Sequence, residues 1–386
     1  ILFKYINFIM DNINEFLSLV GQPIILISPV HLPLGISFFT FHGISYLVDI
    51  YRKESPVEHR FINAALYITL FPQLVAGPII RYHDIAEQIK SRQHSLALFA
   101  SGTERFIIGL AKKTVLANPL GEVADTVFNL PGNELHSGIA WLGLICYSLQ
   151  IYFDFSGYSD MAIGLGRMLG FRFLENFNYP YIARSIQEFW RRWHISLSNW
   201  FRDYLYIPLG GNRVSPFRTY LNLNIVFFLC GLWHGASWNF IIWGMIHGCF
   251  LSLERTRFSI LLEQSYAPVR HIYTLLVVML AWVFFRCDDL QSATHYLAVM
   301  FGISQPSGSL YNVDLLVNNE IIIALGIGLL VLTPIYPYFR NINKANVPFS
   351  GVNSNICVTA FYGILLILSL IKISAGTYNP FIYFRF

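Results

Sequence analysis

The sequence predicts an all-α polytopic membrane protein, a bundle of transmembrane and re-entrant helices. Three observations carry that expectation. Hydrophobic residues make up 55% of the chain and charged residues only 12%, about half the charged fraction of a soluble domain. Aromatic residues reach 16%, with 33 Phe and 22 Tyr, enough for extensive lipid-facing and interfacial surface. Apolar stretches suited to spanning or re-entrant helices recur near 31–50, 62–80, 95–117, 139–163, 219–250, 271–286, 319–339 and 356–374.

No internal repeat or low-complexity segment interrupts this pattern, so residues 1–386 read as a single membrane domain. The net charge of +4 is small and dispersed, which gives no case for nucleic acid. Five cysteines (Cys146, Cys230, Cys249, Cys287, Cys357) are scattered singly and read as buried free thiols. The chain opens on ILFKYINFIMDN without Met or a basic leader, so further residues are expected upstream. Segments 121–138 and 304–320 hold Asp and Glu but no Lys or Arg, whereas 81–113, 184–218 and 340–344 hold most of the basic residues. The positive-inside rule places the first set outside and the second in the cytoplasm.

The apolar run 219–250 conflicts with that topology if it crosses once. Its 32 residues would extend about 48 Å against a hydrocarbon core of about 30 Å, and Arg255, Arg257 and Arg270 would fall outside. Gly231, Gly235 and Gly244 offer break points. Two half-helices entering and leaving on the cytoplasmic side remove both conflicts, and broken backbone is tolerated where it lines a polar cavity. His234, between Trp233 and Gly235 in a stretch (Leu221–Phe250) free of Asp, Glu, Lys and Arg, would sit at that break. An ionisable group at such depth is a functional candidate, and with no activated Ser or Cys in evidence its natural chemistry is general base.

RSIQEFWRRWHISLSNWFRDYLYIPLGGNR (184–213) reads as one helix stopped at Pro208, Gly210 and Gly211. Trp190, Trp193, Leu197, Trp200 and Tyr204 share one face; Arg184, Gln187, Arg191, His194, Ser198 and Arg202 share another, with His194 at its edge. Either the helix lies along lipid headgroups, or its arginines line a cytoplasmic entrance for an anionic acyl donor. Periodicity leaves both open. Within 151–171, Asp154, Ser156, Ser159, Asp160 and Arg167 read as a buried network locking helices, with Gly157 and Gly164 permitting close approach. FPQLVAGPIIRYHDI (71–85) reads as a structural turn, although Gln73 and Arg81 could line a cavity. His59, His83, His94, His136 and His271 are ordinary surface candidates, while His42, His247 and His295 lie in apolar sequence without a distinctive surround. His247 falls on roughly the opposite helical side from His234, and no metal-ligand spacing or GxSxG elbow appears.

At LPLGISFFTFHGISYLVDIYRK, YFDFSGYSDMAIGLGRMLGF, FNYPYIARSIQEFWRRWHISLSNWFRDYLYIPLGGNR, GLWHGASWNFIIWGMIHG, WVFFRCDDLQSA and the closing AGTYNPFIYFRF, the chain resembles the membrane-bound O-acyltransferase family, alginate O-acetyltransferase branch. The resemblance covers nearly the whole chain and implies that one or more N-terminal membrane helices precede it. It also implies a central acyl-transfer tunnel, with His234 catalytic and His194 the second family histidine on the donor side. Arg184, Arg191 and Arg202 are then expected to bind the donor, with acetyl-CoA or another acyl thioester as substrate and no bound cofactor or metal. Further implied are a multi-pass protein of the bacterial inner membrane, a periplasmic hydrolase-like partner, and an acceptor such as alginate, peptidoglycan, cellulose or teichoic acid. Trp233 and Trp238 are expected to shape the acyl pocket, and Asn239 or backbone N–H groups freed at Gly235 are candidates for the oxyanion donor. Two other classes compete. A transporter predicts paired interrupted repeats, and a scaffold leaves WHG in a charge-free helix unexplained.

Overall fold

The computed structural model describes residues 2–33, 35–74, 77–304, 312–334 and 352–376, apart from the side chains of 352–355, and every element among them is helical. The 340–344 segment, the closing TYNPFIYFRF and part of 304–320 lie outside the described residues. In order, the helices are α1 (Leu2–Leu19), α2 (Ile36–Tyr51), α3 (Phe61–Thr69), α4 (Tyr82–Lys90), α5 (Leu96–Ala111), α6 (Asn118–Phe128), α7 (Ser137–Met168), α8 (Ile186–Arg192) and α9 (Ile195–Phe201). They continue with α10 (Pro216–His234), α11 (Trp238–Leu253), α12 (Phe258–Gln264), α13 (Ala267–Arg286), α14 (Leu290–Met300), α15 (Val313–Leu316), α16 (Asn319–Val331) and α17 (Val352–Ala375). Three of them contain a segment long and apolar enough to cross a membrane: Ser137–Met168, Ala267–Arg286 and Ile356–Ala375.

Among the described residues the 62–80 stretch is not one continuous helix. It forms the nine-residue α3 and then a 3-10 turn at Phe71–Gln73, where Pro72 removes an amide donor. The 95–117 stretch continues through a π-helical turn (Lys112–Ala117) into α6. Among the cysteines, Cys146 and Cys230 are buried as expected, but Cys249 and Cys357 face outward from their helices.

α7 is the central post, and α5 packs antiparallel along it. A Cβ at Gly102 would lie 2.6 Å from the Gly164 carbonyl, and one at Gly157 would lie 2.7 Å from the Gly109 carbonyl, so both helices need glycine to touch. The same interface holds the polar network read from the sequence. Lys113 pairs with Asp154 at 2.7 Å, while Arg105 and Lys112 each approach Asp160 at 2.7 Å. Arg167 reaches instead to Glu175.

The 219–250 run folds as an antiparallel hairpin, α10 and α11, broken at Gly235 as the sequence predicted. Its arms extend about 28 Å and about 24 Å, close to a full hydrocarbon core, so they are not half-length. Gly231 and Gly244 are not break points. A Cβ on Gly231 would collide with the Phe240 carbonyl, and one on Gly244 with the Phe227 carbonyl, so they set the spacing between the arms. Asn224 Nδ2 donates to Ser252 Oγ (3.1 Å) near the open end, and Asn239 Nδ2 donates to the Cys287 carbonyl (2.7 Å) at the tip.

Gly244→Ala is expected to destabilise the protein by about 1–3 kcal/mol through overpacking. Gly43→Ala, where nothing lies within 4 Å, is expected to be neutral or slightly stabilising. Thermal unfolding in detergent reads both, and an unchanged midpoint for Gly244→Ala would contradict the close packing.

Candidate active site

The 184–207 segment is two helices, not one. α8 stops at Trp193 (φ −98°, ψ 129°), His194 takes a left-handed conformation (φ 43°, ψ 55°), and α9 restarts at Ile195. Such a conformation costs a residue with a Cβ about 1–2 kcal/mol, so neighbouring contacts must fix it. Residues 176–178 do so. The Ile195 amide donates to the Asn176 carbonyl and the Asn178 amide to the Arg192 carbonyl, both at 2.9 Å. Asn176 Oδ1 accepts from the Ser196 amide (3.2 Å) and hydroxyl (2.9 Å), and lies 3.1 Å from His194 Nδ1. An oxygen accepting those two donors requires the His194 proton on Nδ1, leaving the Nε2 lone pair buried and without a partner among the described residues.

The break separates the two expected faces. Trp190, Trp193, Leu197 and Trp200 are core residues rather than a lipid-facing stripe, and His194, 1% exposed, lies among them instead of at a polar edge. Arg184 and Arg191 are exposed on the α8 side of the break. Arg202 lies beyond α9 in a π-helical turn (Arg202–Tyr206) and pairs with Asp203 at 2.7 Å. The three arginines therefore share no single helical face.

The hairpin tip and the His194 apex meet in one aromatic cage. The Trp233 ring centroid is 4.7 Å from that of His234 and 6.3 Å from that of His194. Phe41 stacks on Trp233 (5.2 Å) and on Trp200 (4.0 Å), continuing the cage onto α2 and α9. Trp243 and Phe285 meet His234 edge-on at 4.9 Å and 5.1 Å, and Phe155 meets His194 at 4.7 Å. His234 retains 8% exposure, and its Nδ1 is enclosed without a partner among the described residues. The indole N–H groups of Trp190, Trp233 and Trp243 are likewise enclosed and find no partner among the described residues. Buried polar groups are normally satisfied, so these open donors and acceptors make the cage a candidate site.

Other expected positions resolve differently. His247 is not turned away from His234, because the hairpin cancels the helical phase; both rings pack on Trp243, His247 at 5.1 Å. Trp238 is 51% exposed, packs on Phe8 and donates to Asn12 Oδ1 (2.9 Å), so it belongs to the contact with α1 rather than to the cage. One N–H of the Asn239 amide is engaged with the Cys287 carbonyl, and the Gly235 N–H donates to the Gly231 carbonyl (3.2 Å). Gln73 is buried and donates to the Tyr67 carbonyl within the expected turn. Asn176 carries no signal of its own in the sequence; it lies eighteen residues before His194, immediately ahead of the FNYP stretch.

A polar latch holds the far end of the α9 segment. His83, expected to be ordinary surface, lies 2.8 Å from the fully buried Asp49 and 3.3 Å from Asp84. Asp49 also accepts from Tyr204 (2.6 Å), and Arg81 joins Asp84 (3.1 Å) to Asp203 (2.6 Å). The hydrogen bond to Asp84, with that to Asp49, holds His83 above the usual histidine range against the opposing effect of burial. Its contribution is therefore complete below about pH 6.5 and is lost as pH rises through the raised value. The unfolding midpoint in detergent is expected to fall between about pH 6 and about pH 8, by well under about 1 kcal/mol equivalent, since His83 is partly solvated. His83→Gln is expected to flatten that slope; an identical slope in the variant would assign it to other groups.

Comparison with known proteins agrees with this architecture. The family model of the membrane-bound O-acyltransferases matches residues 36–292, a range that holds both cage histidines. The chain is 41% identical to the probable alginate O-acetylase of Azotobacter vinelandii, over all of this chain and 82% of that protein. It is 42% identical to the probable alginate O-acetylase of Pseudomonas putida, over all of this chain and 81% of that protein. The peptidoglycan O-acetyltransferase of Helicobacter pylori is 39% identical over 78% of this chain and 62% of its own length. A multi-pass helical chain with two buried histidines facing one indole, matched over most of its length, belongs to the membrane-bound O-acyltransferase family and is an O-acyltransferase.

Proposed function

We propose that the protein moves an acetyl group from acetyl-CoA on the cytoplasmic side of the bacterial inner membrane to a hydroxyl of an extracytoplasmic polysaccharide. Alginate is the best-supported acceptor, since the relatives matching the whole chain carry that name. The 39% identical peptidoglycan O-acetyltransferase makes peptidoglycan the second reading. The observation that carries the proposal is the convergence of two chain breaks, at His194 and after His234, on one cage of unpartnered polar atoms.

His234 acts as general base. It removes the proton of the attacking hydroxyl, which belongs to the sugar or to a periplasmic hydrolase-like partner. The hydroxyl oxygen bonds to the thioester carbonyl carbon, the C–S bond breaks, and the proton returns to the departing sulfur. His194, with Nδ1 engaged by Asn176, presents Nε2 as an acceptor on the donor side. Arg184, Arg191 and Arg202 attract the donor's phosphates by charge, at separate surface positions rather than from one face. The open indole N–H groups supply neutral donors in a water-poor cage.

Membranes holding the full-length protein, given labelled acetyl-CoA and the periplasmic partner, test this. His234→Ala at matched abundance is expected to lose at least about 10²-fold of the transfer. Asn176→Leu is expected to lose less, through a freed His194 ring. Unchanged transfer in His234→Ala would remove His234 from the chemical step.

A further inference from the structure

We propose that Lys4 of α1 is the charged donor that stabilises the oxyanion formed when the hydroxyl activated by His234 attacks the thioester carbonyl. The proposal rests on the acetyl-transfer reading above. α10 ends at His234, so its last carbonyls have no intrahelical partner. α1 supplies partners from consecutive residues: Tyr5 OH donates to the Leu232 carbonyl (3.0 Å) and Lys4 Nζ donates to the Trp233 carbonyl. The latter carbonyl belongs to the peptide whose nitrogen is that of His234, so the ammonium sits beside the proposed base.

Three further features turn this helix cap toward chemistry. Lys4 pairs with no carboxylate among the described residues; besides the Trp233 carbonyl it donates to Ser37 Oγ (3.0 Å) and lies 5.8 Å from the Trp233 ring centroid. Dipoles and a ring face compensate an enclosed ammonium only partly, which leaves the position receptive to a negative charge. An ammonium carries three N–H groups, and two are engaged, so one remains. At the tip the Gly235 N–H holds the Gly231 carbonyl and one Asn239 N–H holds the Cys287 carbonyl; the donors left there are neutral, whereas Lys4 brings a full charge. In the step, the carbonyl π electrons move onto oxygen as the hydroxyl oxygen bonds to carbon. Lys4 donates its free N–H to that oxygen, and the charge returns to the carbonyl as the C–S bond breaks. Lys4 itself stays protonated throughout.

Lys4→Gln and Lys4→Arg in the full-length protein test the proposal, beside His234→Ala, in the acetyl-CoA assay with the partner present. Gln keeps an N–H for the Trp233 carbonyl and loses the charge; Arg keeps both. Lys4→Gln is expected to fold with a near-native unfolding midpoint and to lose about 10²- to 10³-fold in kcat, with KM for acetyl-CoA within a few fold. Lys4→Arg is expected to recover a large part of that loss. A Lys4→Gln enzyme with kcat within threefold of wild type would overturn the proposal and leave Lys4 a cap. A change confined to KM for the acceptor would overturn it too, assigning the ammonium to acceptor binding. If His234→Ala abolishes transfer and Lys4→Gln does not, only this proposal fails. If His234→Ala retains transfer, the acetyl-transfer reading fails first.

Discussion

The carbonyl groups left open where α10 stops at His234 set the conditions for the rest of the site. A helix that ends inside an apolar bundle exposes acceptors that neither lipid nor side-chain packing satisfies. The chain closes that end with Lys4 and Tyr5, brought from more than two hundred residues away. The same requirement recurs at the α8–α9 break, where Asn176 and Asn178 supply the missing partners. Each break therefore carries its own strap, and each strap brings a polar side chain beside a histidine. Backbone satisfaction and site construction are one problem here.

Around these breaks the framework is stiff. α5 and α7 interlock glycine to carbonyl at two levels, and buried ion pairs cross the same interface. Such pairs add little net stability over an apolar packing, but removing one partner would strand a charge, so they penalise any sliding of one helix along the other. The hairpin arms are spaced in the same way by Gly231 and Gly244. Rings rather than charges then fill the space between framework and tip. The polar groups that remain beside the histidines, the indole N–H groups and the Lys4 ammonium, thus act at low effective dielectric.

The sequence made the hairpin legible because a charge-free run of 32 residues is too long for one crossing and contains glycines. The α5–α7 network was legible too, since carboxylates in an apolar helix need partners. The His194 break was not. Trp193 and His194 are ordinary helix residues, and neither Pro nor Gly interrupts α8–α9, so the break depends on hydrogen bonds from residues 176–178 that local periodicity does not register. The phase relation drawn between His234 and His247 failed for a related reason, because a turn lies between them. Asn176, Lys4 and the Asp49–His83 latch were invisible because each acts across a long sequence separation.

The left-handed backbone at His194 limits which residues that position admits. Branched side chains meet their own carbonyl there, whereas Gly, Asn and Asp adopt it most readily and His does so more often than most. The set compatible with the fold is thus small, and within it only His offers an imidazole. A descendant that abandoned catalysis but kept the architecture would be steered by backbone sterics toward Gly or Asn at this position. Genome-scale surveys could use that substitution as a mark separating degenerate paralogues from working enzymes, because drift at this apex is channelled rather than free.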